Sequence, residues 1–295
     1  MKKTTIKIGT FALALVMSIT SCDKDASYSL TSTSDDNSTA ESVFDDVYET
    51  SMDESVEMEL SATAKASFGR ERVGDCATIT DSVVDSTTNH IIRTIDFGEE
   101  GCTVTCKGEE RTKKGKIIIE KIGLKREVGS SLNVSFENFS INDYEIGGTK
   151  AISKSLNDDD QFVHTIAVTS TITNPEGNTM SWVSNRTRTI LEGYNTDKDR
   201  SDDKIQIEGS STGTNFDGEN FSMTITTPLI KAAGCFFITE GVEEIAPAGK
   251  STRTVDYGDG TCDDIANVTV DGETTEITIG SLRKKRRKLK RRLRK

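Results

Sequence analysis

Proline is almost missing from this chain: 3 residues in 295. That excludes proline-rich spacers and polyproline recognition segments. Histidine is scarcer still, with only His90 and His164, far apart in sequence. No His-Glu-x-x-His, no Cys-x-x-Cys pair, no Gly-x-Ser-x-Gly and no glycine-rich phosphate loop is present. Zinc hydrolysis, serine-type nucleophilic catalysis and nucleotide hydrolysis therefore lack their usual residues. Tryptophan occurs once, at Trp182, and aromatic residues make up 6% of the chain. Few platforms exist for stacking a sugar ring. Hydrophobic residues reach only 34%, so the expected core is thin for the length. No apolar run is long enough for a spanning helix.

Charge is abundant. There are 48 acidic against 37 basic side chains, a formal net charge of -11. The last thirteen residues, Arg283 to Lys295, hold eleven of the basic ones. The rest of the chain is therefore more acidic than its net charge suggests. Such a body repels anionic polymers, whereas its terminus attracts them.

The N-terminus carries Lys2, Lys3 and Lys7, then a mostly apolar run from Ile8 to Ile19. These are the n- and h-regions of a secretory signal. Ser18-Ile19-Thr20-Ser21-Cys22 resembles a bacterial lipobox, which implies a signal peptide over 1–21 and lipid on Cys22. Asp23, Lys24 and Asp25 resemble the surface-export signal of Bacteroidetes-type lipoproteins. The following Ser/Thr/Asp/Asn-rich stretch reads as a flexible tether over 22–39, because it offers little apolar surface to offset its ordering entropy. Val43, Phe44, Val47 and Tyr48 have helical spacing, which predicts a short helical segment within 40–68.

Strand patterns begin near Cys76. Phe162, His164, Ile166, Val168 and Ile172 alternate with a face dominated by threonine; Leu132, Val134 and Phe136 alternate with polar residues, and so do Phe221, Met223 and Ile225. Turn signals separate them, including Asp217-Gly218 and Asp271-Gly272. The expectation is an all-β domain over 70–281, with about twelve to sixteen mostly antiparallel strands in a sandwich or curved sheet. A basic tail follows over 282–295.

An internal repeat lies within that domain. Arg93-Thr94-Ile95-Asp96-Phe97-Gly98 matches Arg253-Thr254-Val255-Asp256-Tyr257-Gly258, and a cysteine follows the aspartate by six residues in both. Each copy also starts with a cysteine, giving Cys76 with Cys102 and Cys235 with Cys262. Two hairpins, 76–102 and 235–262, each closed by its own disulfide, are the economical reading. Buried thiols or pairing between the copies are the alternatives. Cys106 has no counterpart and is the odd thiol. Lipobox, acidic stretch and the two Cys-bounded blocks together resemble uncharacterised lipid-anchored lipoproteins of Bacteroidetes-type bacteria. The resemblance implies an outer-membrane location, surface-exposed or else facing the periplasm, and no activity.

Three further features invite a ligand. Asp197, Asp199 and Asp203 place oxygens as a calcium loop would, but without an EF-hand's glycine and final glutamate. A solvated acidic turn is the plainer reading of them, calcium the alternative, and no other cofactor is expected. Ser82 and Ser86 follow aspartates in a short pattern that resembles the O-glycan acceptor of such exported proteins. Arg283, Lys284, Lys285, Arg286 and Arg287 begin a basic segment whose leucines share one helical face. It suits an anionic envelope polymer or lipopolysaccharide, or is an idle solvated tail. The functional expectation is a non-catalytic envelope module of interaction or adhesion type, held to the membrane by its lipid, with no protein partner indicated. The alternative is a carbohydrate-binding or carbohydrate-active protein using clustered carboxylates; the third is a polyanion binder acting through the tail.

Overall fold

A computed structural model describes residues 24–59, 70–106, 109–196, 202–235 and 237–278. Cys22 and the tail from Arg283 to Arg287 lie outside them, as do Asp197 and Asp199. The chain is mostly antiparallel β-sheet with one long N-terminal helix.

Helix α1 spans Lys24–Glu57, and a single turn, α2, spans Arg70–Val73. Then come β1 (Thr78–Asp85), β2 (His90–Asp96), β3 (Cys102–Cys106), β4 (Glu109–Ile122), β5 (Ser131–Ile141), β6 (Tyr144–Leu156) and β7 (Phe162–Thr173). The series continues with β8 (Thr179–Glu192), β9 (Lys204–Thr214), β10 (Asn220–Ala232), β11 (Glu240–Pro247), β12 (Arg253–Asp259), β13 (Ile265–Val270) and β14 (Glu273–Thr278). All fourteen join one sheet in sequence order, except that β3 and β2 share one edge of β4. Among the described residues β1 and β14 are its two edges. This is the curved-sheet form of the expected class.

The curvature follows from what the sheet surrounds. From Thr33 to Glu57 no residue of α1 is exposed. Its partners come from strands as far apart as β2 (Arg93), β6 (Lys150) and β10 (Lys231). A helix about 10 Å across meets all of them only if the sheet curls around it. Inward residues such as Ile95, Ile117, Val134, Ile152, Ile172 and Ile245 form one buried cluster with Val43, Phe44 and Val47. Trp182, 1% exposed, stacks on Phe44 with ring centroids 5.4 Å apart.

The helix begins well before the segment predicted for it, so from Lys24 onward the expected tether is helical. Composition misread it because its polar side chains find protein partners instead of water. The Trp182 indole donates to Asn37 Oδ1 at 3.2 Å, the Asn215 amide to Thr33 Oγ1 at 3.2 Å, and the Phe216 backbone N–H to Asp36 Oδ2 at 3.3 Å. Buried polar groups satisfied in this way cost little.

Bending a sheet this far needs bulges. One lies where β4 pairs with β5, between Lys114 and Lys116. Gly115 sits there at φ +70°, where a Cβ would lie 2.1 Å from the Asn138 carbonyl oxygen. Gly115→Ala is expected to cost about 1–3 kcal/mol, read as a lowered urea midpoint with unchanged slope.

The repeat is structural. Disulfides join Cys76 to Cys102 and Cys235 to Cys262, each with Cα atoms 5.6 Å apart. They enclose the β1–β2 and β11–β12 hairpins. In both copies arginine, the aliphatic residue and the aromatic ring point inward: Arg93, Ile95 and Phe97, then Arg253, Val255 and Tyr257. Both aspartates face out and cap the following turn: Asp96 Oδ1 accepts the Gly98 N–H at 2.8 Å, and Asp256 Oδ1 the Gly258 N–H at 2.9 Å. Cys106 ends β3, and its side chain lies outside those described.

Candidate functional site

The interior is not the thin apolar core that composition suggests. Beside its apolar cluster it holds a layer of buried ion pairs between an acidic helix and basic strands. Asp46 lies 2.6 Å from Lys113 Nζ, 3.1 Å from Arg111 and 3.6 Å from Arg72. Glu54 meets Arg93 at 2.7 Å, and Arg93 also reaches Asp81 on β1. Asp45 bridges Arg188 at 2.8 Å and Lys231. Glu41 pairs with Arg186, and Glu59 with Lys121 at 2.8 Å. Lys150 Nζ donates to the Phe44 carbonyl at 2.5 Å, between the rings of Phe44 and Tyr48.

Burial alone would raise the Asp46 pKa, but Lys113 and Arg111 more than offset it and hold the carboxylate ionised below its usual range. Lys150 is the opposite case. Burial, with Arg188 nearby, pushes its pKa well down.

The sequence signal for this layer was faint but readable. Lys150 and Lys154 keep step with Ile146 and Ile152 along β6, and Arg186 and Arg188 keep step with Met180 and Trp182 along β8. Cations in the inward phase of a strand, together with carboxylates at helical spacing in 41–59, called for each other.

Two cavities flank α1. The first, of about 90 Å³, lies between the helix and β8–β12. Its polar wall holds Glu41, Asp45, Arg186, Arg188, Lys231 and Glu243; its apolar wall holds Ile207, Leu229, Phe237 and Ile238. The Tyr257 hydroxyl donates to Glu243 Oε1 at 2.9 Å. Burial, with Glu41 adding repulsion, raises the Glu243 pKa to about 7. The second cavity, of about 100 Å³, is lined by Tyr48, His164, Lys125, Tyr194 and Asp203 among others. The Tyr48 hydroxyl contacts His164 Nδ1 at 2.6 Å. Burial, then Lys154 and Arg188, bring the His164 pKa down to about 3, so its ring is neutral where it meets the Tyr48 hydroxyl.

A wider groove of about 910 Å³ runs along the surface, walled by Asp96, Glu99, Glu137, Asp143 and Glu145 together with Lys114 and Lys116. Clustered carboxylates do occur here, but the groove does not include Trp182, whose ring is in the core.

The residues singled out from sequence are scattered. Ser82 is exposed on edge strand β1 and Ser86 in the turn after it, apart from both cavities. Asp203 is half-buried in the wall of the second cavity. Among the described residues no group of three or more His, Cys, Asp or Glu is placed to hold a metal ion. No family model, curated protein or solved structure matches this chain, so its function is argued from its own geometry.

Proposed function

We propose that this protein is a lipid-anchored, extracytoplasmic, non-catalytic module that makes contacts in the cell envelope through the outer face of its sheet. The observation that carries this reading is the chemistry of that face. Where β6 to β10 pair in register, one outward row runs Thr149, Thr169, Val183, Thr212 and Ser222. The row beside it runs Ala151, Ala167, Asn185, Ser210 and Thr224. All ten are exposed, and none is charged. Small hydroxyl side chains on a rigid ladder present a broad surface at little conformational-entropy cost. Interior cations such as Arg93, Lys113 and Arg188 are meanwhile occupied in holding the helix.

Two disulfides agree with an oxidising compartment. Anchoring rests on the lipobox-like sequence before Cys22. Metabolic labelling with an alkynyl fatty acid tests it. The wild-type chain is expected to be labelled and to sediment with membranes, and Cys22→Ala to be unlabelled and released. Label persisting in the variant, or missing from the wild type, overturns the anchor. For the face, Thr169→Arg with Thr212→Arg should leave the melting temperature within about 2 °C, since exposed substitutions change stability little. The same pair should abolish retention of the purified protein on isolated envelopes. Unchanged retention overturns the assignment of this surface.

A further inference from the structure

In an antiparallel meander every second connection lies at the same end of the sheet. The connections after β1, β4, β6, β8, β10 and β12 therefore share one end, and β14 finishes there, with Thr278 opposite Ile265.

Three of these connections are tied together around an exposed apolar patch. Leu124 and Val128, between β4 and β5, are 44% and 55% exposed, and Leu156 at the end of β6 is 42% exposed. Lys154 Nζ donates to the Lys125 carbonyl at 2.7 Å, and the Gly129 N–H donates to the Lys154 carbonyl at 2.8 Å. Arg126 Nη2 donates to the Tyr194 carbonyl at 2.8 Å, and the Tyr194 ring stacks on Phe162, which pairs with Leu156. These bonds hold the aliphatic side chains in one place. Single exposed aliphatic residues are ordinary, whereas a gathered group marks an interaction site.

The same end is acidic. Asp158, Asp159 and Asp160 lie in the β6–β7 turn, and Asp259, Asp263 and Asp264 at the β12–β13 connection. All six are exposed, and among the described residues none of them forms an ion pair. These charges select the occupant. An anionic polymer or lipid surface is repelled, and the same end of a second copy would bring its own aspartates to the contact. A basic segment that also carries apolar residues fits.

The chain supplies such a segment at this end. Residues 279–295 follow β14, with eleven basic side chains between Arg283 and Lys295. Leu282, Leu289 and Leu293 are seven and four residues apart, the spacing of one helical face. Reach is sufficient. From β14 to β6 is eight strand spacings, about 38 Å along the sheet and less across its curl. Twelve extended residues already cover about 40 Å.

We infer that residues 279–295 dock on this end of their own sheet, with the leucines against Leu124, Val128 and Leu156 and the cations among the aspartates. The docked segment covers the patch and brings opposite charge to the acids around it.

Carbodiimide cross-linking of the intact protein, read by peptide mass spectrometry, tests this. The reagent joins lysine to carboxylate without a spacer. Links are expected from Lys284, Lys285, Lys288 and Lys290 to Asp158–Asp160 and to Asp259, Asp263 and Asp264. Mixing nitrogen-15-labelled with unlabelled protein should place them within one copy. In 1 M salt, where the Debye length is about 3 Å, the yield should fall about fivefold or more. Leu282→Ser with Leu289→Ser and Leu293→Ser keeps every charge, yet should lower the yield about tenfold, because the leucines lose their burial.

Three results overturn the inference. The first is no link at this end, or links spread equally over outer-face acids such as Glu137, Glu145 and Glu244. The second is links only between copies, which makes a second copy the occupant. The third is an undiminished yield in the triple serine variant, which leaves unspecific charge attraction alone. The first two are read from the wild type and need no variant.

Discussion

Replacing Asp46 by alanine is expected to destabilise the protein by about 3–5 kcal/mol, the cost of removing one partner from a buried ion pair. Three cations converge on this carboxylate, and their side chains are 9% (Arg72), 3% (Arg111) and 0% (Lys113) exposed. Without Asp46 they repel one another in a region that water does not reach. Lys113 is not left wholly bare, since its Nζ also donates to the Arg72 carbonyl at 3.0 Å. Guanidinium denaturation at pH 7 should show a lower midpoint at constant slope. The double variant Asp46→Ala with Lys113→Met should recover part of the loss, because it removes the deepest of the stranded charges. A loss below about 1 kcal/mol, the level of an exposed pair, would mean that this site is wet. No recovery in the double variant would mean that Asp46 acts by shape alone.

Acid stability provides the second large effect. His164 in the folded protein resists protonation until about pH 3, while in the unfolded chain it titrates near 6.5. Below 6.5 the unfolded state therefore binds the extra proton. Stability is fully present above that pH and is lost as the pH falls toward 3, by up to about 1.4 kcal/mol per unit. Glu243 works in the other direction. Its folded pKa of about 7 exceeds the 4.5 of a free glutamate, so its contribution is fully present below 4.5 and is lost as the pH rises through 7. Urea midpoints measured from pH 3.5 to 8 should separate them. Between about pH 4.5 and 6.5 the two offset each other in the wild type, a window above the range in which Asp46 takes up protons; His164→Gln unmasks a loss of stability as the pH rises through it. Glu243→Gln unmasks the opposite trend, a loss of stability as the pH falls from 6.5 to 4.5. A Glu243→Gln curve with no slope between pH 6 and 4.5 would show that the Tyr48–His164 contact is solvated.

Much of the fold was legible because strand alternation is a local signal. Along Phe162–Thr173 the residues that alternate in sequence are those buried in the structure, and both Cys-bounded repeats proved to be disulfide-closed hairpins. The extent of α1 was not legible. Thr33, Asp36 and Asn37 look solvated until the strands that satisfy them, more than a hundred residues later, are known. The interior charges were hidden for a related reason. A lysine such as Lys150 on a strand normally marks the wet face, and only its phase with Ile146 and Ile152 betrays the inward direction. Lining residues of the first cavity come from six separate elements, so no local pattern could assemble it.

The order of the parts along the chain bears on how they come together. The helix emerges first, yet Lys231, which closes on Asp45, lies 186 positions further on. At roughly 5–20 residues per second that is roughly 10–40 s of synthesis. For that interval the α1 segment is a mandrel waiting for its winding. A mostly apolar mandrel would be an aggregation hazard while bare; this one carries carboxylates that keep it hydrated. Strands β2, β4, β8 and β10 then each bring a cation to an acid already in place. The charge layer that cements the finished molecule thus also keeps the unfinished one soluble, and the meander can be laid down one hairpin at a time.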